Sequence, residues 1–281
     1  MSELNHSMEI KTSHAMKYFA IVVALYALSL QAVFSQESNG ASQRPVPRWP
    51  DGRISFTGPP DVIGNWDGPV GASLANDKIY NELFPQTRNL PTNLEIEDVP
   101  FQPWARKLYE TRRANYGKDD PHTRCKPSGG PRMFHTPYGF EILDLPDAGQ
   151  IIFISVGAPH SWKVVYMDGR PHPESPEPSW FGHATGRWEG DTLVIDTVGF
   201  NEKFWLTREG IPHTAQLHLI ERLSRPDFDT LRYEVTIDDP GAYTETWSGG
   251  WLIPWVDGNE PFDYLCQENN LDGRHMDAID N

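Results

Sequence analysis

Basic residues are scarce in this chain. Its 281 residues include 24 Lys and Arg against 39 Asp and Glu, a net charge of −15. That balance excludes the basic face that nucleic-acid recognition needs and disfavours an anionic membrane surface as partner. Apolar residues make up only 38% of the chain, and the strongest apolar run, residues 19–30, is shorter than the roughly 20 residues that cross a bilayer. Cysteine is limited to Cys125 and Cys266, too few for a Cys-x-x-Cys metal cluster. The chain also lacks a helical His-Glu-x-x-His pair, a Gly-x-Ser-x-Gly elbow, a glycine-rich phosphate loop and a dinucleotide fingerprint. No cofactor and no metal are expected.

What is present points to export and to strands. Lys17, the apolar run and then the small residues Val33 and Ser35 have the layout of a secretory signal peptide, with cleavage before Gln36 and Met16 as the natural initiator. No cysteine follows the run to accept a lipid. The segment removed carries Glu3, Glu9, Lys11 and Lys17, so the net charge survives cleavage. A periplasmic or secreted location makes a Cys125–Cys266 disulfide the single intramolecular pairing. The other reading is two buried thiols.

Pro (25), Gly (23) and Trp (10) are abundant. Residues 1–35 read as leader and signal. Residues 36–100 form a long irregular, proline-rich arm whose Trp49, Phe56, Trp66 and Phe84 require burial against the domain. Residues 101–281 form the main domain. One amphipathic helix is predicted over 103–116, with Pro103 at its first position and Trp104, Ala105, Leu108 and Tyr109 on one stripe. From residue 139 the hydrophobic period becomes two. Strands are predicted at 139–145, 150–156, 162–168, 183–189, 191–198, 215–223, 230–238, 244–255 and 261–266. The fold class is therefore mainly β: an antiparallel meander closing into a lipocalin-like barrel, or a sandwich. Two links are long, 169–182 and 199–214, and crowd the rim.

Three stretches, 118–131 (KDDPHTRCKPSGGP), 182–201 (GHATGRWEGDTLVIDTVGFN) and 233–243 (YEVTIDDPGAY), resemble a large, functionally uncharacterised family of exported bacterial proteins. The resemblance runs from about residue 45 to 270 and implies export but no activity. The Gly-x-Trp-x-Gly-Asp-Thr-Leu hairpin within it also resembles hairpins of lipocalin-type barrels.

Strand alternation sorts the polar candidates. His183, Thr185 and Arg187 share one face, as do Thr192, Val194 and Asp196. Gln216, His218, Ile220 and Arg222 oppose Leu217, Leu219, Glu221 and Leu223, and Arg232, Glu234 and Thr236 oppose Leu231, Tyr233, Val235 and Ile237. The polar faces admit two readings: a solvated exterior with pairs such as Arg222 and Glu234, or the lining of a ligand cavity. His160, His172, His183, His213 and His218 lie in or beside the strands. His218 and Glu221 point to opposite faces, so the His213–His218–Glu221 spacing does not make a metal site. Asp196, at the mouth of a long loop, suits a partner that orients His183 as a general base, with Arg187 or His218 stabilising charge; the alternative is a turn-capping Asp. Trp180 and Trp205 occupy the long loops, as ligand-stacking rings or as hydrophobic anchors.

The sequence thus supports a small-molecule-binding barrel whose rim site uses Trp180, Trp205, Asn201, His160 and Glu234. The alternative is a cofactor-free hydrolase, lyase or isomerase built on His183, Asp196, Arg187 and His218. The partner expected is a small organic ligand or substrate, with no nucleic acid and no membrane span after signal cleavage.

Overall fold

A computed structural model describes residues 44–59, 61–84, 88–157 and 160–266. The expected signal peptide and the carboxy-terminal tail lie outside the described residues. The described residues belong to one compact unit.

Nine strands close into a barrel: β1 (Gly64–Trp66), β2 (Phe140–Leu145), β3 (Gln150–Ser155), β4 (Ser161–Tyr166), β5 (His183–Glu189), β6 (Thr192–Val198), β7 (His218–Asp227), β8 (Thr230–Asp238) and β9 (Trp247–Asp257). The expected β class and closure hold, with two differences. The barrel is mixed: β4 and β5 run parallel, sharing the pairs Val165↔Ala184 and Tyr166↔Thr185. A parallel neighbour needs a crossover, and the long 169–182 link supplies it. The second difference is the ninth strand. Residues 261–266 form no ladder, because Pro261 brings no N–H and Gly258 (φ 75°) turns the chain away. The position falls instead to β1 from the arm, which pairs with β9 over three residues.

Local chemistry explains the elements. The β5–β6 hairpin turns on Gly190-Asp191, and Gly190 at φ 60° supplies the left-handed conformation a two-residue loop requires. Helix α1 (Lys78–Leu83), absent from the sequence expectation, begins where the Asp77 carboxylate accepts from the Tyr80 N–H. Helix α2 (Pro103–Ala114) buries Ala105 and Tyr109 as its stripe predicted, while Trp104 remains largely exposed and donates its indole N–H to the Gly241 carbonyl.

The barrel interior is filled. Odd-numbered residues of β9 point inward, with Trp251 and Ile253 fully buried. A 3-10 turn (Gly130–His135) pushes Phe134 against Phe140, Phe153 and Tyr233, ring centroids 5.3, 5.3 and 4.5 Å away. An ion pair, Lys163 with Glu221, is sealed inside. Glu221 also accepts from the Thr197 hydroxyl (3.2 Å) and the Tyr233 hydroxyl (3.0 Å). Side chains thus pack the described core, and the polar strand faces are the outside of the barrel.

The arm is part of this packing. Asn93 donates to the Ser73 and Gly250 carbonyls and accepts from the Gly250 N–H, each at 2.9 Å. Gly249 permits the approach: a Cβ there would lie 2.1 Å from the Leu74 carbonyl oxygen. Cys125 and Cys266 form the expected disulfide, 141 residues apart. It ties the turn after α2 to the segment following β9 rather than to a strand.

Candidate functional site

Three histidines and one carboxylate converge on the outer face of β5, β6 and β7. Register decides how. Thr185, not His183, sits opposite Asp196, because His183 pairs with Val198 two residues along. The direct His183–Asp196 contact expected from the sequence is therefore not made. His172, from the β4–β5 crossover, bridges them: its Nε2 lies 3.0 Å from Asp196 Oδ1 and its Nδ1 lies 2.8 Å from His183 Nδ1. His218 Nε2 reaches the same Asp196 oxygen at 2.8 Å. All four side chains are part-buried.

The hydrogen-bond directions follow from the donor inventory. An ionised Asp196 only accepts, so His172 and His218 each donate Nε2–H. An uncharged His172 then accepts at Nδ1, and His183 must donate Nδ1–H. This leaves His183 Nε2 as a bare acceptor with no protein partner among the described residues. Partial burial, the neighbouring His172 and the Arg170 cation all hold the His183 pKa below its ordinary value, which favours that uncharged form at neutral pH.

His183 forms part of the wall of an open cleft of about 340 Å³. Trp162 and Tyr166 from β4 and Pro176, Ser179 and Phe181 from the crossover supply the rest. The Tyr166 ring stacks on His183 at 5.3 Å, and the Arg170 guanidinium lies over the Tyr166 ring, 4.0 Å from its centroid. Trp162 is 65% exposed, which makes it a large, uncovered aromatic surface at the cleft. The volume lies within the range of small-molecule sites.

No family model, curated protein or solved structure matches the chain.

The remaining sequence candidates lie elsewhere. Arg187 is exposed on β5 and bound to Glu189 at 2.7 Å, four residues along the strand from His183. Glu234 pairs with Arg232 (2.8 Å), and Arg222, its expected partner, binds Glu189 instead (2.9 Å). Asn201 caps a turn by accepting from the Lys203 N–H. His160 accepts from the Tyr264 N–H at 2.9 Å. Trp205 is buried beneath the Arg112 guanidinium (4.5 Å) and Trp180 packs toward Phe204 (6.3 Å), so both are loop anchors rather than open stacking faces. The residues that sequence reasoning did not select are His172, Trp162 and Tyr166. His172 stood in the histidine inventory, but only the parallel β4–β5 crossover brings it to Asp196.

Among the described residues, no group of three or more His, Cys, Asp or Glu side chains has the arrangement of a metal site. No helix of the described residues is long and apolar enough to cross a membrane.

Proposed function

We propose that this is an exported barrel that binds a small organic molecule in the cleft beside the histidine chain. The observation that carries the reading is the meeting of an uncovered Trp162, the Tyr166 ring and the bare His183 Nε2 around one cleft. Aromatic faces favour a planar or carbohydrate ring, and the imidazole acceptor favours a ligand hydroxyl or N–H. The disulfide is compatible with an oxidising compartment, in keeping with export.

A screen of sugars and planar heterocycles by thermal shift and tryptophan fluorescence tests this. A ligand at 100 times its Kd stabilises by about 2.7 kcal/mol. Trp162→Ala and His183→Ala are expected to abolish that gain, while Arg187→Ala leaves it unchanged. Hits that ignore both cleft substitutions, or a screen with no hits, contradict the proposal.

The hydrogen-bond chain itself favours a second reading, acid–base catalysis. Asp196 orients His172, His172 orients His183, and His183 Nε2 would take the proton from a substrate hydroxyl, a carbon acid or an attacking water, as in a hydrolase, lyase or isomerase. The discriminating result is turnover of a screened ligand that disappears in Asp196→Asn while binding persists.

A further inference from the structure

A second cleft lies at the seam where the arm closes the barrel. β1 meets β2 through one pair alone, Trp66↔Phe140, after which the strands part. Alternation along β2 fixes which backbone groups face the gap. Gly139 accepts from the Val156 N–H, so Glu141 and Leu143 bond toward β3 and the N–H and C=O of Ile142 and Asp144 point at the seam. Across the gap, the Ile63 carbonyl accepts from the Gly258 N–H on the β9 side, which turns the backbone groups of Gly64 toward β2. The cleft between them has a volume of about 540 Å³ and reaches the rings of Phe56, Trp66, Phe140 and Trp255.

Two polar side chains there await partners. Asn65 is 1% exposed, and its Nδ2 has no hydrogen-bond partner, although its Oδ1 accepts from Asn259. The Glu141 carboxyl is partly buried, its pKa raised by that burial, and no cation pairs with it among the described residues. Nearby Asp144 and Asp257 are already occupied by Arg53 and Arg44. A strand edge that pairs with β1 only at Phe140, an apolar floor, and the Glu141 carboxylate with Glu260 also on the cleft wall match β-strand addition by a peptide.

We propose that the β1–β2 seam receives an extended peptide segment bearing a basic side chain, which adds to the free edge of β2 and sets its cation on Glu141. Main-chain bonds to Ile142 and Asp144 give the register, and side chains on the other face of the peptide enter the aromatic floor. This site is separate from the histidine cleft and stands without it.

The test uses the full chain and a fluorescein-labelled, capped pentapeptide of alternating valine and lysine, read by anisotropy. The lysine peptide is expected to bind, and its glutamate counterpart to bind at least about tenfold more weakly, a loss equal to about 1.4 kcal/mol. Glu141→Gln is expected to remove that preference with unchanged melting temperature. Replacing the peptide amides with esters is expected to weaken binding about fivefold per lost main-chain bond. Trp162→Ala is expected to leave all of this unchanged. Equal binding of the two peptides, equal binding of amide and ester forms, or absence of peptide binding overturns the proposal. Self-association of the chain in sedimentation without peptide binding overturns it in favour of edge pairing between copies.

Discussion

Lys163→Met removes one half of the ion pair inside the barrel while nearly preserving side-chain volume. Glu221 would keep its bonds from Thr197 and Tyr233 but lose the one cation paired with it among the described residues. Leaving an uncompensated charge in such a place costs about 3–5 kcal/mol. Replacing both partners removes the charge as well as its counter-ion, so the double variant Lys163→Met/Glu221→Gln leaves no buried charge unpaired. Urea denaturation of wild type, Lys163→Met, Glu221→Gln and the double variant at pH 7 measures this. The double variant is expected to recover most of the loss. A Lys163→Met protein as stable as wild type, or a double variant no more stable than Lys163→Met, refutes the reasoning.

Three further outcomes follow from the packing. His122 and His135 are buried, which pushes their pKa values down to about 4 and about 3; each must gain a proton on unfolding, so stability is lost as pH falls from 6.5 toward 4, by up to about 1.4 kcal/mol per pH unit per histidine, and His122→Gln is expected to flatten the slope measured by thermal or urea melts. Cys125→Ser with Cys266→Ser opens a 141-residue loop and is expected to cost about 2–5 kcal/mol in urea, with reductant producing the same loss in wild type and none in the variant. Asn93→Ala strands the buried Gly250 N–H and is expected to cost about 1–3 kcal/mol, with faster hydrogen exchange at Gly250.

How much was legible in the sequence differs by residue. Strands 183–189 and 230–238 carry clean alternation between tight turns, and the structure returns them as His183–Glu189 and Thr230–Asp238. The inward face of β7 could also be read, Glu221 included. β1 could not: Gly64–Trp66 is too short for any period, and its strand character comes from pairing with β9. The same holds for β4 and β5, whose parallel contact depends on the path of a loop rather than on alternation. That contact decided the candidate site. His183, Asp196 and His218 could be placed on one side of the sheet from spacing alone, but a two-residue offset separates His183 from Asp196, and His172 crosses it only because the 169–182 link folds back over the outer face. Trp162 and Tyr166 fall inside the expected strand 162–168, but that both border a cleft depends on the crossover beside β4, not on alternation along it. Conversely, Trp205 looked available because it lies in a long loop, yet that loop is packed into the core.

The central claim is that Asp196 and His172 hold His183 in the tautomer whose bare Nε2 stands ready at the cleft. Long-range proton–nitrogen correlation spectra of the imidazole rings at pH 7.5, assigned with His172→Gln, His183→Gln and His218→Gln, read it directly. The account predicts Nε2–H on His172 and His218 and Nδ1–H on His183, with the His183 pattern lost in Asp196→Asn. A proton on His183 Nε2, or a His183 ring indifferent to both His172 and Asp196, would contradict it.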